Sequence, residues 1–180
     1  MPGQFLLHFL RRVALPLLLA APPTLGYTQV NSEQQLKAAY LVNFLKYIEW
    51  PVTGPGTTIC LFGRDQIGPF LTSYEGRLIA GKELRVRRVN GPDQTADCQL
   101  LFIPDTEEAR FAAVLRWVDK QPVLTVSDAE AFPHQGGGIA LVRADGRLQF
   151  DVNTKALSRA GLKPSSQMMR LARQVIGTAQ

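Results

Sequence analysis

The segment CQLLFIPDTEEARFAAVLRWVDKQPVLTVSD, Cys98–Asp128, decides the fold. Cys98 to Ile103 is an apolar run of strand length. Pro104-Asp105-Thr106 then caps a helix whose apolar positions, Phe111, Val114, Leu115 and Val118, recur at three- and four-residue steps. Pro122 to Ser127 is a second strand-like run. Strand, helix and strand in this order make a βαβ unit, because parallel neighbours need a crossover between them.

The same alternation extends upstream. Thr57–Gly63, TTICLFG, is a buried strand. Gly63-Arg64-Asp65 turns into a short helix, about Gln66 to Tyr74, with Pro69 in its first turn. Leu84–Val89 is the next strand, and Asn90 to Asp97 is a polar loop. Further upstream, Ser32 and Gln35 have capping-box spacing. Leu36, Ala39, Tyr40, Phe44, Tyr47 and Ile48 then predict an amphipathic helix of about four turns, with Lys37 and Glu49 facing outward. Trp50-Pro51 ends it, since the residue before proline avoids the helical region.

Downstream the pattern changes. Gly138–Arg143 and Arg147–Val152 are strands joined by Ala144-Asp145-Gly146, and Asp-Gly between alternating runs signals a hairpin. Asn153 or Thr154 caps a short helix that stops near Gly161. Pro164, Ser165 and Ser166 begin a last helix carrying Met168, Met169, Leu171, Ala172, Val175 and Ile176. The expected fold class is α/β: one domain with a mostly parallel sheet and a C-terminal antiparallel hairpin, flanked by helices. The strands holding Cys60 and Cys98 are expected to be neighbours in a two-one-three order.

The chain has 180 residues, 46% hydrophobic and 19% charged, which excludes a disordered tail protein. Arg11 and Arg12 precede nine apolar residues, Val13 to Ala21, broken only by Pro16. That is a secretory signal, too short to span a bilayer. Residues 1–26 are expected to be the signal peptide, cut near Tyr27, with 27–180 the exported domain. An uncleaved N-terminal anchor is the alternative. Arg11-Arg12 also hints at twin-arginine export, without the rest of that signal. Removing both arginines takes the formal charge from +5 to +3, too small to suggest a large polyanion partner. Arg85 and Arg87 alternate with Leu84 and Val86, as on a solvated edge strand guarded by charge; an anion or membrane-surface contact is the sharper reading. No aromatic residues interleave there, so no nucleic acid is expected.

Two cysteines, Cys60 and Cys98, remain in an exported chain. In an oxidising compartment they read as a disulfide, closing a loop of 37 intervening residues. Two buried free thiols are the alternative. No metal and no cofactor is expected: two cysteines and His134 are too few for zinc. No P-loop and no Gly-x-Ser-x-Gly elbow exists. Gly136-Gly137-Gly138 precedes a strand rather than a helix and reads as a flexible turn. Ser127, Asp128 and His134 allow a hydrolase to be imagined, but nothing signals an oxyanion hole. Asp128 is read as capping the turn toward Ala129 and Phe132. Glu107 and Glu108 favour a helix dipole and need no catalytic role.

Four ordered motifs carry a resemblance. LKAAYLVNFLKYIEWP (Leu36–Pro51), PVLTVSD (Pro122–Asp128), GGGIALVRADGRLQFDVN (Gly136–Asn153) and AGLKPSSQMMRLARQV (Ala160–Val175) resemble the YfiR family of periplasmic proteins. The resemblance covers nearly all of Ser32 to Ile176. Cys60 and Cys98 fall on strands where related proteins carry a disulfide. A second cysteine pair of the best-known members is absent, with Leu141 and Leu148 in those strands. The resemblance implies no enzyme. It implies a periplasmic repressor that binds the outer sensor domain of an inner-membrane diguanylate cyclase of the YfiN type, lowering cyclic di-GMP and biofilm formation. An outer-membrane lipoprotein that sequesters the repressor, and a homodimer, are further expected partners.

Two surfaces are candidates for contact. The last helix has more apolar positions than one stripe requires, so Met168, Met169 and Leu171 are expected to bind a partner, at least one of them exposed. The other reading is a small-ligand sensor, because an open parallel sheet offers a crevice at the carboxyl ends of its strands. Gly63, Arg64, Ile103 and Asp128 are expected near that edge.

Overall fold

The computed structural model describes residues 25–51 and 56–177, with side chains from Ser32 onward. Residues 1–24 of the expected signal peptide and most of the connection after Pro51 lie outside the described residues.

Helix α1 (Leu25–Tyr47) leads into a two-residue strand, β1 (Ile48–Glu49). Strand β2 (Gly56–Phe62), helix α2 (Gly68–Leu71), β3 (Leu78–Ile79) and β4 (Lys82–Val89) follow. Next come β5 (Leu100–Phe102), a 3-10 segment Asp105–Arg110, α3 (Phe111–Trp117) and β6 (Leu124–Ser127). The chain then forms β7 (Ile139–Ala144), β8 (Arg147–Asn153) and α4 (Thr154–Arg159). It closes with β9 (Lys163–Pro164), α5 (Ser166–Leu171) and β10 (Gln174–Ile176).

Eight strands form one sheet in the order β10-β8-β7-β6-β5-β2-β4-β3, and β1 pairs with β9 apart from it. β4, β2, β5, β6 and β7 run parallel, while β7–β8 and β3–β4 are antiparallel. The mixed α/β class holds, and β2 lies between β4 and β5 as the two-one-three order predicts. The hairpin turn has φ of 51° at Asp145 and 72° at Gly146, the positive pair that a two-residue loop needs.

The central strands β2, β5 and β6 are buried on both faces, as parallel strands covered by helices must be, while β4 at the side keeps its arginines exposed. Ile59, Leu61, Phe102 and Val126 face α1, where Ala38, Leu41 and Phe44 meet them in one cluster. Cys60, Phe62, Leu101 and Ile103 point the other way, toward Phe111 and Val114 of α3. The two-residue period of β2 and β5 thus divides the core in two.

Five local expectations are corrected. α1 begins at Leu25, not at Ser32. Capping-box spacing is also i,i+3 spacing inside a helix, and the Glu33–Lys37 ion pair at i,i+4 supports the continuous form. Its buried stripe is also rotated: Ala38, Leu41, Val42 and Leu45 are buried, while Leu36 is 46% exposed and Lys37 is covered. The helix expected over Gln66–Tyr74 is one turn, α2, followed by a 3-10 turn at Thr72–Tyr74. The last helix stops at Leu171, and Gln174–Ile176 is a strand parallel to β8. The glycine triplet is a close-packing device: a Cβ at Gly137 would lie 2.2 Å from the Phe132 ring, and one at Gly138 would lie 2.8 Å from the Thr125 carbonyl.

Candidate functional site

The chain leaves β2 for β4 on one side and returns to β5 on the other. Such a switch point opens a crevice at the carboxyl ends of the strands. Here it is a cavity of about 230 Å³, lined by Gln34, Lys37, Arg64, Phe102, Asp105 and Asp128 among others. Arg64 and Asp128 line it as the sequence suggests. Gly63 turns the chain just above with φ of 68°, and Ile103 is buried in the α3 cluster, so neither forms the wall.

Two ionic groupings build the walls. Asp65 accepts from the N–H groups of Ile67 at 2.9 Å and Gly68 at 2.5 Å, and pairs with Arg88. Asp128 accepts from Lys37 Nζ at 2.8 Å through Oδ2 and from the Asp105 N–H at 2.8 Å through Oδ1. Lys37 also meets Glu33 at 3.2 Å, and Glu33 meets Arg143 at 2.7 Å. The chain Arg143–Glu33–Lys37–Asp128 therefore ties α1 to the ends of β7 and β6.

Burial alone would lower the pKa of the Lys37 ammonium, but its hydrogen bonds to Asp128 and Glu33 outweigh that and hold it above 10.5. Burial alone would raise the pKa of Glu33, and the bonds from Arg143 and Lys37 bring it below 4.5. Lys37 is only 7% exposed, which corrects its outward placement. Its pairing to Asp128 explains how a lysine occupies a covered position. Asp128 likewise does not cap its own turn; Ser127 Oγ does, accepting from the Ala129 N–H at 3.1 Å. Ser127 is fully buried and His134 is exposed, and no hydrogen bond joins Ser127, Asp128 and His134 among the described residues. The sequence reading missed Lys37, Gln34 and Asp105. The signal for Lys37 was its place beside Ala38 and Leu41 on the stripe that is buried.

Cys60 and Cys98 form a disulfide, with their Cα atoms 5.7 Å apart. It lies under the exposed arginines of β4, where Arg87 donates to the Gln94 carbonyl at 2.7 Å. Of the two leucines at the second-cysteine strands, Leu141 is buried and Leu148 is half-buried.

At the other end of the sheet, Ser165 caps α5 by accepting from the Met168 N–H at 3.2 Å. Met168 is core at 3% exposure, which corrects its expected place on a contact surface. Met169 is half-buried, and Leu171 is 70% exposed. Arg173 bonds Asp151 at 2.5 and 2.9 Å and Glu130 at 2.7 Å, and these partners raise its pKa. Its N–H donates to the Phe150 carbonyl at 2.8 Å, which starts β10 along β8.

Residues 34–173 match the YfiR/HmsC-like family. The chain belongs to that family. The match spans α1 from Gln34 through Arg173, so it takes in the crevice, the disulfide and α5 of this YfiR/HmsC-like protein. Among solved structures, the chain is similar to an ABC domain from Streptococcus pneumonia in complex with L-Trp, at 15% identity and a TM-score of 0.53 over 77% of this chain. It is also similar to a conserved domain protein from Vibrio cholerae O1 biovar eltor, at 7% identity and a TM-score of 0.56 over 79% of this chain. The matches cover 60% of each of those chains, and at such identity they show the fold alone.

Proposed function

We propose that this YfiR/HmsC-like protein is a periplasmic regulator without catalysis of its own. It binds the outer sensor domain of an inner-membrane diguanylate cyclase and restrains it, lowering cyclic di-GMP and biofilm formation. The family match over residues 34–173 carries this reading. A disulfide suits an oxidising compartment. Among the described residues no helix is long and apolar enough to cross a membrane. Residues 1–26 are the export signal in this reading. An outer-membrane lipoprotein competes for the repressor, and a homodimer is its own further partner.

Leu171, exposed at the end of α5, is the contact, with half-buried Met169 two residues before it. An exposed leucine at the end of a helix gives an apolar anchor for a partner surface. Leu171→Glu should fold with a near-normal melting temperature and bury an unpaired charge only in the complex. Cyclic di-GMP in cells carrying it should rise to the level of a gene deletion. Full restraint by the folded variant would exclude this face. A deletion that leaves cyclic di-GMP unchanged would remove the regulatory reading itself.

A further inference from the structure

The carboxylates facing the crevice at the ends of β2, β5 and β6 differ in what they have left to offer. Asp65 holds two backbone N–H groups and Arg88, and Asp128 holds Lys37 and the Asp105 N–H. Both carboxylates are already engaged by donors. Arg64 is the opposite case. Its side chain is exposed, lines the cavity, and has no ion-pair or hydrogen-bond partner among the described residues. The amides of Gln34 and Gln66 and the Thr106 hydroxyl line the same space, while Phe102 and Ile67 beneath it are buried in the core.

We propose that this crevice binds a small organic carboxylate, held on Arg64 among the Gln34 and Gln66 amides and the Thr106 hydroxyl. A planar guanidinium matches a carboxylate through two parallel hydrogen bonds. A cavity of about 230 Å³ is smaller than the usual drug-sized pocket, which limits the ligand to metabolite size. Asp105 stands at the same mouth with its carboxylate exposed. Like charge there penalises a phosphate dianion more than a singly charged carboxylate. Gln34 and Lys37 belong to α1, so the ligand touches the helix that Phe44 packs against Phe150 of β8. The inference goes beyond the regulatory reading and does not depend on it.

The test is an NMR titration of the exported chain with hexanoate, hexylamine and inorganic phosphate, following the Arg64 Nε–H and the amides of 104–106. Hexanoate should give saturable shifts at these positions. Arg64→Ala should weaken binding at least tenfold, and Arg64→Lys should restore part of it. Asp105→Asn should tighten binding by removing the like charge. Absence of shifts with hexanoate, or shifts confined to other parts of the sheet, would overturn the proposal. So would stronger shifts with phosphate, or binding of hexylamine that Asp105→Asn abolishes. None of these outcomes bears on the cyclase assay of Leu171→Glu, so each reading fails separately.

Discussion

At the scale of single residues, the Cys60–Cys98 bridge joins the end of a polar loop to β2, the strand between β4 and β5. It closes 37 intervening residues, for which the chain-entropy model gives about 4 kcal/mol at most. Cys60 is fully buried, and its sulfur belongs to the α3-side cluster with Phe62 and Leu101. Replacing both cysteines by alanine should therefore cost about 2–4 kcal/mol in urea unfolding. Quantifying thiols on the exported, unfolded chain without reductant should find none. Two reactive thiols per chain, or a double variant as stable as the parent, would sink the structural role of the bridge. The pairing was legible because an even cysteine count, in a chain read as exported, has few other uses. The close packing of Gly137 and Gly138 was not legible, since nothing local marks which neighbours will crowd a glycine.

At the scale of elements, α1 and the last segment show where periodicity is enough and where it is not. Phe44 belongs to both the expected and the observed buried faces of α1. Its ring lies 5.3 Å from that of Phe150 and 5.9 Å from that of Tyr40. Phe44→Ala should cost about 3–5 kcal/mol, and a loss below about 0.5 kcal/mol would place it on the surface instead. Ile48 is buried and Tyr40 packs on the core as expected, but Leu36 and Tyr47 are exposed: α1 is apolar on more than one side, and Lys37 takes a covered position by pairing with Asp128, far away in sequence. The last segment fails for the same physical reason. Met168 to Ala172 keeps helical spacing, but Arg173 is fixed by Asp151 and Glu130, and Gln174–Ile176 then pairs with β8. A pairing partner more than twenty residues upstream overrides local propensity. Asp151 is only 2% exposed, so Arg173→Ala leaves a buried carboxylate without its cation. The expected loss is about 3 kcal/mol, with faster amide exchange at Val175 and Ile176 than elsewhere in the sheet. Uniform exchange across the sheet would show that Arg173 does not hold β10 in place.

At the scale of the whole molecule, alternating strands and helices specified the class and the central strand order, because each short crossover constrains where its strands can lie. The site was half legible. Arg64 and Asp128 follow from the rule that ligands sit at carboxyl ends of parallel strands, whereas Lys37 and Gln34 come from a helix that only tertiary packing brings over the crevice. The ion chain from Arg143 to Asp128 adds to the apolar packing of α1, and the chain has a pH signature. Lys37 has a folded pKa above 10.5, so its contribution is complete below that value and is lost as pH rises through the folded pKa. Glu33 has a folded pKa below 4.5, so its contribution is complete above that value and is lost as pH falls through the folded pKa. Lys37→Met removes the central link, at a cost of about 1–3 kcal/mol for the hydrogen-bonded charges left behind. Melting temperatures of the parent and Lys37→Met should differ by a constant amount between pH 4.5 and 10.5, and the gap should close beyond both ends. The ammonium is covered, so moderate salt should change the gap little. A gap that persists unchanged at high pH would mean that the alkyl stem of Lys37, not its charge, holds α1 on the sheet. A gap that varies through neutral pH would require a titrating group other than Glu33 and Lys37, and the ion chain would lose its place as the tie between helix and crevice.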